Sequence, residues 1–182
     1  MSCTGDALTG SLKRAAVALK RAGVPFALAG GFAVYARGGP PSEHDVDFLL
    51  RQVDVSSALD ALRAAGFRPV DPPEDWLVKV YDEDRLVDLI FVMAGAPVDD
   101  AMLARADELE VCSVRMPVLD ATDIVVSKLL SLGPHHCDLG PVLSVARSLR
   151  EQVRWSEVRD RTKESPYARA LLFLLAELEV VR

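Results

Sequence analysis

Apolar residues recur at helical spacing at Leu8, Leu12, Ala15, Ala16 and Leu19, which predicts a helix over 7–22. Gly23 ends it and Pro25 prevents its continuation. The run 26–29 is apolar but too short for a helix, and suits a buried strand. Gly30-Gly31 then opens a short helix over 32–36, and a loop rich in turn residues fills 37–42. At 45–50 the period falls to two, predicting a strand. A helix is expected over 55–65, stopped by Gly66. The strand-like runs 76–81 and 86–92 flank a polar turn, the pattern of a hairpin. Weaker strand signals occupy 108–114 and 115–119.

From Asp120 the pattern becomes helical. Asp120 can cap a helix carrying Ile124, Val125, Leu129 and Leu130, and Gly133-Pro134 breaks it. Further helices are expected over 138–149, 155–161 and 167–178. The order predicts an α+β (mixed α/β) chain: a core over 1–119 with helices packed on a mixed sheet, then a helical C-terminal region over 120–182 packed on that core.

Charge and composition narrow the function. No apolar run is long enough to span a bilayer, and no signal peptide is expected. Cys3, Cys112 and Cys137 are odd in number and widely spaced, which argues against a disulfide framework and fits a reducing cytoplasm. The net charge of -6 argues against nucleic-acid binding by the whole surface. The charge is uneven, however. Residues 71–110 hold twelve acids and three bases, whereas 147–169 holds seven bases (Arg147, Arg150, Arg154, Arg159, Arg161, Lys163 and Arg169) and four acids. The basic segment is either a solvated helix face or a face for a polyanion.

The chemistry lies in two neighbouring signals. A short strand runs into Gly30-Gly31 at a helix start, where a phosphate can approach the backbone. On the next strand Asp45 and Asp47 are two apart and share a face. Paired carboxylates repel unless a cation neutralises them, and Mg²⁺ takes one or two carboxylates together with substrate phosphates. The two signals together describe a metal–triphosphate site. Asp88 sits in an apolar strand, where an unpaired charge is expensive; a metal site would account for it, as would an exposed strand edge. Arg37 is either a triphosphate ligand or a solvated loop residue. The stretch His135-His136-Cys137-Asp138 lacks the separated ligand pairs of a structural zinc site. Trp76 and Trp155 read as core or interface residues rather than stacking platforms.

Gly30, Gly31, Asp45 and Asp47 in this order resemble the nucleotidyltransferase (polymerase-β-like) superfamily, with Asp88 matching its third carboxylate. The segment 117–132 followed by His136-Cys-Asp-Leu139 resembles the AbiEii/MenT-type toxin nucleotidyltransferases, with Lys128 and Asp138 matching their active-site positions. Cys137 stands where that subgroup often has Lys or Arg, and His44 where many relatives have serine.

The resemblance implies a nucleotidyltransferase-fold core and a metal-dependent enzyme using Mg²⁺, or Mn²⁺ in its place, with an NTP as substrate. It implies Asp45, Asp47 and Asp88 as metal ligands, with Asp88 alternatively the base for the acceptor hydroxyl. Gly30, Gly31, Arg37 and Lys128 would bind nucleotide, and Asp138 would belong to the catalytic set. The leading expectation is NMP transfer to RNA, tRNA in particular, by the toxin of a toxin–antitoxin pair, with a cognate antitoxin as partner. One alternative is the same chemistry on a small molecule such as an aminoglycoside, with the acidic 71–110 region receiving a polycation. The other is a non-catalytic domain that binds a partner protein.

Overall fold

The computed structural model describes residues 7–42, 44–70 and 73–181. Its frame is a mixed seven-stranded sheet. In chain order the elements are α1 (Ala7–Arg21), β1 (Ala27–Leu28), α2 (Gly30–Ala36), β2 (Asp45–Leu49), α3 (Val55–Ala64), β3 (Arg68–Val70), β4 (Leu77–Asp82) and β5 (Arg85–Ile90). A small hairpin β6 (Val92–Met93) and β7 (Ala96–Pro97), then α4 (Asp100–Ala104), β8 (Asp107–Val111) and β9 (Val114–Val118) follow. Four helices end the chain: α5 (Ala121–Leu130), α6 (Leu139–Leu149), α7 (Trp155–Thr162) and α8 (Pro166–Glu177). The sheet order is β3-β4-β5-β2-β1-β9-β8. β2 runs parallel to β5 and β1 parallel to β9, and the other pairs are antiparallel. This is the mixed α/β class that the hydrophobic pattern predicts.

Alternation assigns the two faces of the sheet. Val46, Phe48, Val80, Val87 and Leu89 are buried and point one way, into a core shared with Leu12, Ala15, Ala16 and Leu19 of α1. Phe26 meets Phe48 edge-on at 5.3 Å. Asp82, also on this face, accepts from Ser11 Oγ at 2.6 Å and pairs with Arg14 and Arg85, which fastens α1 to the β4–β5 hairpin. Odd-numbered residues of β2 and β4 and even-numbered residues of β5 face the other way. Parallel register sets Asp47 opposite Asp88, and antiparallel register sets Lys79 opposite Asp88. A row of charge therefore crosses the open face of three strands.

Helix α5 is positioned by its start. Asp120 caps it by accepting from the Thr122 and Asp123 amides, and Arg154 donates to both Asp120 oxygens at 3.1 Å. Asp123 is fully buried, and is neutralised by Arg105 at 3.0 Å and Arg161 at 2.7 Å. A buried carboxylate is tolerable only when paired in this way. Part of the basic segment is thereby engaged. Arg154 and Arg161 both also bind Glu157, Arg150 pairs with Glu151, and Arg169 donates to the Lys163 carbonyl. Cys137 is exposed and free, whereas Cys112 is disulfide-bonded, which the spacing of the cysteines did not suggest.

Candidate active site

Asp45, Asp47 and Asp88 converge. Each offers one carboxylate oxygen within 4.8 Å of the others. Three acids this close in a partly buried place repel one another, and their acidities record it. Burial above all, then Asp45 and Asp88, pushes Asp47 from an ordinary 3.8 up to about 7, with Lys128 pulling the other way. Asp88 rises to about 6, through burial first and Asp45 next; Lys79 opposes the rise and Glu74 adds to it. Lys79 is itself paired with Glu74 at 3.1 Å. Asp88 Oδ1 is buried without a hydrogen-bond partner among the described residues. A divalent cation fits this donor set. It would remove the mutual repulsion, and hard carboxylate oxygens are what Mg²⁺ and Mn²⁺ take.

The backbone is shaped around Asp47. Gly30 adopts φ +56°, and a Cβ built there would lie 1.7 Å from Asp47 Oδ2. Only glycine serves, on both conformational and steric grounds. Ala29 N donates to the Asp47 carbonyl at 2.8 Å, holding the β1–α2 turn against β2.

A cavity of about 600 Å³ opens beside the carboxylates. Gly30, Asp47 and Lys128 line one part of it, and Leu49 and Ile90 continue its floor. Leu119, Ile124, Ser127 and Ser131 supply the α5 wall, with Trp76 and the β6–β7 hairpin opposite. The Lys128 ammonium makes no ion pair or hydrogen bond with another described residue, although its charge acts on Asp47. An ammonium in a cleft with no partner of its own is available to an anionic ligand.

The sequence candidates therefore divide. The structure brings Asp45, Asp47, Asp88, Gly30 and Lys128 together, with Gly31 next to Gly30. Arg37 is elsewhere. Its side chain is 6% exposed and donates to the Leu119 carbonyl at 2.7 Å, the Val118 carbonyl at 3.2 Å and Asp107 at 2.7 Å. Its donors hold α2 to β8 and β9, away from the cavity. Asp138 is exposed, caps α6 by accepting from Gly140 N at 3.1 Å, and does not line the cavity. Trp76, read from the sequence as a core or interface residue, is 41% exposed at the cavity. Sequence reasoning missed Ser127, Ser131 and the hairpin wall. The two serines had a signal in their helical spacing, Ser131 standing four residues after Ser127 and three after Lys128.

Solved structures of other proteins share the fold. The chain resembles ANT(2'')-Ia in complex with adenylyl-2''-tobramycin, with TM-score 0.65, 15% identity, and coverage of 90% of this chain and 95% of that one. It also resembles the lincosamide antibiotic adenylyltransferase LnuA, lincomycin-bound, with TM-score 0.52, 12% identity, and coverage of 74% and 91%. At these identities the likeness is one of fold. No curated protein matches the sequence. Residues 4–179 match a family described as "Uncharacterised nucleotidyltransferase". With nearly the whole chain matched, the chain belongs to this nucleotidyltransferase family.

Proposed function

We propose that this chain is a metal-dependent enzyme that transfers a nucleoside monophosphate from an NTP to a hydroxyl of a small, neutral or cationic acceptor. The observation that carries the chemistry is the Asp45–Asp47–Asp88 cluster, with Gly30 against it and Lys128 across the same cavity. Asp45, Asp47 and Asp88 would hold the metal, each through a carboxylate oxygen. When bound there, the cation supplies neutralisation of the triphosphate and of the leaving pyrophosphate. Lys128 adds positive charge on the α5 side, where the triphosphate lies against Gly30. The acceptor then approaches from the β4–β5 side. Its hydroxyl oxygen bonds to the α-phosphorus, the bond from that phosphorus to pyrophosphate breaks, and the hydroxyl proton passes to Asp88.

The choice of acceptor rests on charge. The RNA expectation needed a basic face over 147–169, and three of its arginines, Arg150, Arg154 and Arg161, are occupied by Asp120, Asp123, Glu151 and Glu157. Asp75 stands exposed at the cavity beside Trp76. An acidic rim on a chain of net charge -6 repels a polyanion and suits an amine-bearing polyol. The AbiEii/MenT-type toxin reading, with tRNA acceptor and antitoxin, retains Lys128 but not Asp138 among the cavity residues.

The test supplies each α-labelled NTP with Mg²⁺ or Mn²⁺ to parallel acceptor sets, one of aminoglycosides and other amine-bearing polyols, one of total RNA. Label on a small acceptor with pyrophosphate release, lost in Asp45→Ala, is expected. Label on RNA alone overturns the small-acceptor reading, and no transfer to either set counts against it as well.

A further inference from the structure

Gly31 and Ser42 are separated by α2 and the loop after it, yet they meet. A Cβ built on Gly31 would lie 2.3 Å from Ser42 Oγ and 2.7 Å from Ser42 Cβ. The hydroxymethyl group of Ser42 therefore occupies the space that a side chain at 31 would fill. The loop explains how it gets there. Gly38 turns the chain at φ +95°, and Gly39 donates to the Val34 carbonyl at 2.9 Å, so closely against α2 that a Cβ at 39 would lie 2.4 Å from Val34 Cγ1. Pro40-Pro41 then stiffens the return. α2 is about 10 Å long at 1.5 Å per residue, and the few extended residues from Gly39 to Ser42 retrace it to its first turn.

Gly31 itself has no left-handed φ, so its conformation does not demand glycine. What demands it is Ser42. The preceding residue, Gly30, lies against Asp47 Oδ2 and lines the cavity. Ser42 is half-buried, and its hydroxyl has no hydrogen-bond partner among the described residues. A hydroxyl held in a fixed place, beside the glycines that border a metal-binding carboxylate and without a partner, is a donor in want of an acceptor.

We propose that Ser42 is a triphosphate-binding residue, its Oγ donating to a non-bridging phosphate oxygen from the position that a hydroxyl on residue 31 would otherwise hold. The inference rests on the nucleotidyl-transfer reading above. It predicts an exchange: the hydroxyl can be moved from 42 to 31. With Ser42→Gly, the nearest remaining atom to a Cβ at 31 is the residue 42 Cα at 3.5 Å, ordinary contact distance.

The probe is inorganic tripolyphosphate with Mg²⁺, which removes base and acceptor preference from the measurement. Its dissociation constant is read by calorimetry, with a melting curve for every variant. Ser42→Ala and Ser42→Gly should each weaken binding about tenfold or more, the effect of a lost hydrogen bond to a charged group. Gly31→Ser alone should bind poorly, because two side chains compete for one space. The double variant Ser42→Gly/Gly31→Ser should recover binding to within about threefold of the native chain. Equal binding by the native chain and Ser42→Ala overturns the proposal, as does a double variant that melts normally and fails to recover. If the native chain itself does not bind tripolyphosphate, the nucleotidyl-transfer reading falls, and the assignment of Ser42 with it.

Discussion

Asp47→Asn should make the metal-free protein more stable while abolishing its activity. In the folded chain the Asp47 carboxyl titrates at about 7, against an ordinary 3.8. Its ionised form is therefore penalised by folding, by at most about 4 kcal/mol at 1.36 kcal/mol per pH unit. The sign sets the window. Below about pH 4 the carboxyl is protonated in both folded and unfolded chains, and the asparagine variant gains nothing. As pH rises from 4 to 7 the unfolded chain releases the proton that the folded chain retains, and the native protein loses stability. Above 7 the full difference holds. At roughly 2–4 °C per kcal/mol for a chain of this size, Asp47→Asn in EDTA at pH 8 should melt as much as about 16 °C higher. Adding Mg²⁺ or Mn²⁺ should raise the melting temperature of the native chain but not of the variant, and metal affinity should increase with pH up to about 7 as the competing proton leaves. A variant no more stable than the native chain at pH 8, or a difference that does not change between pH 4 and 8, would refute the electrostatic account of the triad.

Gly30→Ala places a Cβ 1.7 Å from Asp47 Oδ2 at a left-handed φ; about 1–2 kcal/mol of stability and nearly all transfer activity should go, and near-native turnover would show that the close approach is not needed. Lys128→Ala should keep the fold and lose about 10²-fold in rate, as read by single-turnover transfer of labelled NMP. Arg37→Ala should cost on the order of 2–3 kcal/mol in urea unfolding, through the Leu119, Val118 and Asp107 contacts, while the KM for NTP stays within about twofold; a large rise in KM with unchanged stability would return Arg37 to the phosphate site. Arg154→Glu should lower the melting temperature by exposing Asp120 to a like charge, with small-acceptor transfer affected only as far as the fold loosens.

The elements with strong periodicity were readable in advance. α1, β2, α3, the β4–β5 hairpin and α5 lie within a residue or two of the pattern. The β6–β7 hairpin was not readable. Its two-residue turn, Ala94-Gly95, takes left-handed φ at both positions, and alanine there conceals what Asn-Gly would announce. The β8–β9 turn is similar, with Cys112 and Ser113 both left-handed. α4 is a helix of little more than a turn, whose Asp99 cap has too few apolar positions behind it to register as periodicity.

Local sequence by itself determined the glycine pair, the two aspartates on one strand face, and hence the kind of site this chain builds. Those features depend on residues a few positions apart, where strand alternation and glycine conformation settle the geometry. Tertiary structure alone decided which charges are available. Parallel pairing of β2 with β5 brings Asp88 beside Asp47 across a long stretch of chain, and the turn after α2 lays Ser42 over Gly31. Burial decided the rest. Arg37, Arg154 and Arg161 look alike as letters in the sequence, but in the fold each is spent on a carbonyl or a carboxylate, whereas Lys128 on the cavity wall is not. Whether a cation binds a ligand or stabilises the fold depends on which acceptors packing brings within reach, and that depends on contacts far apart in the chain.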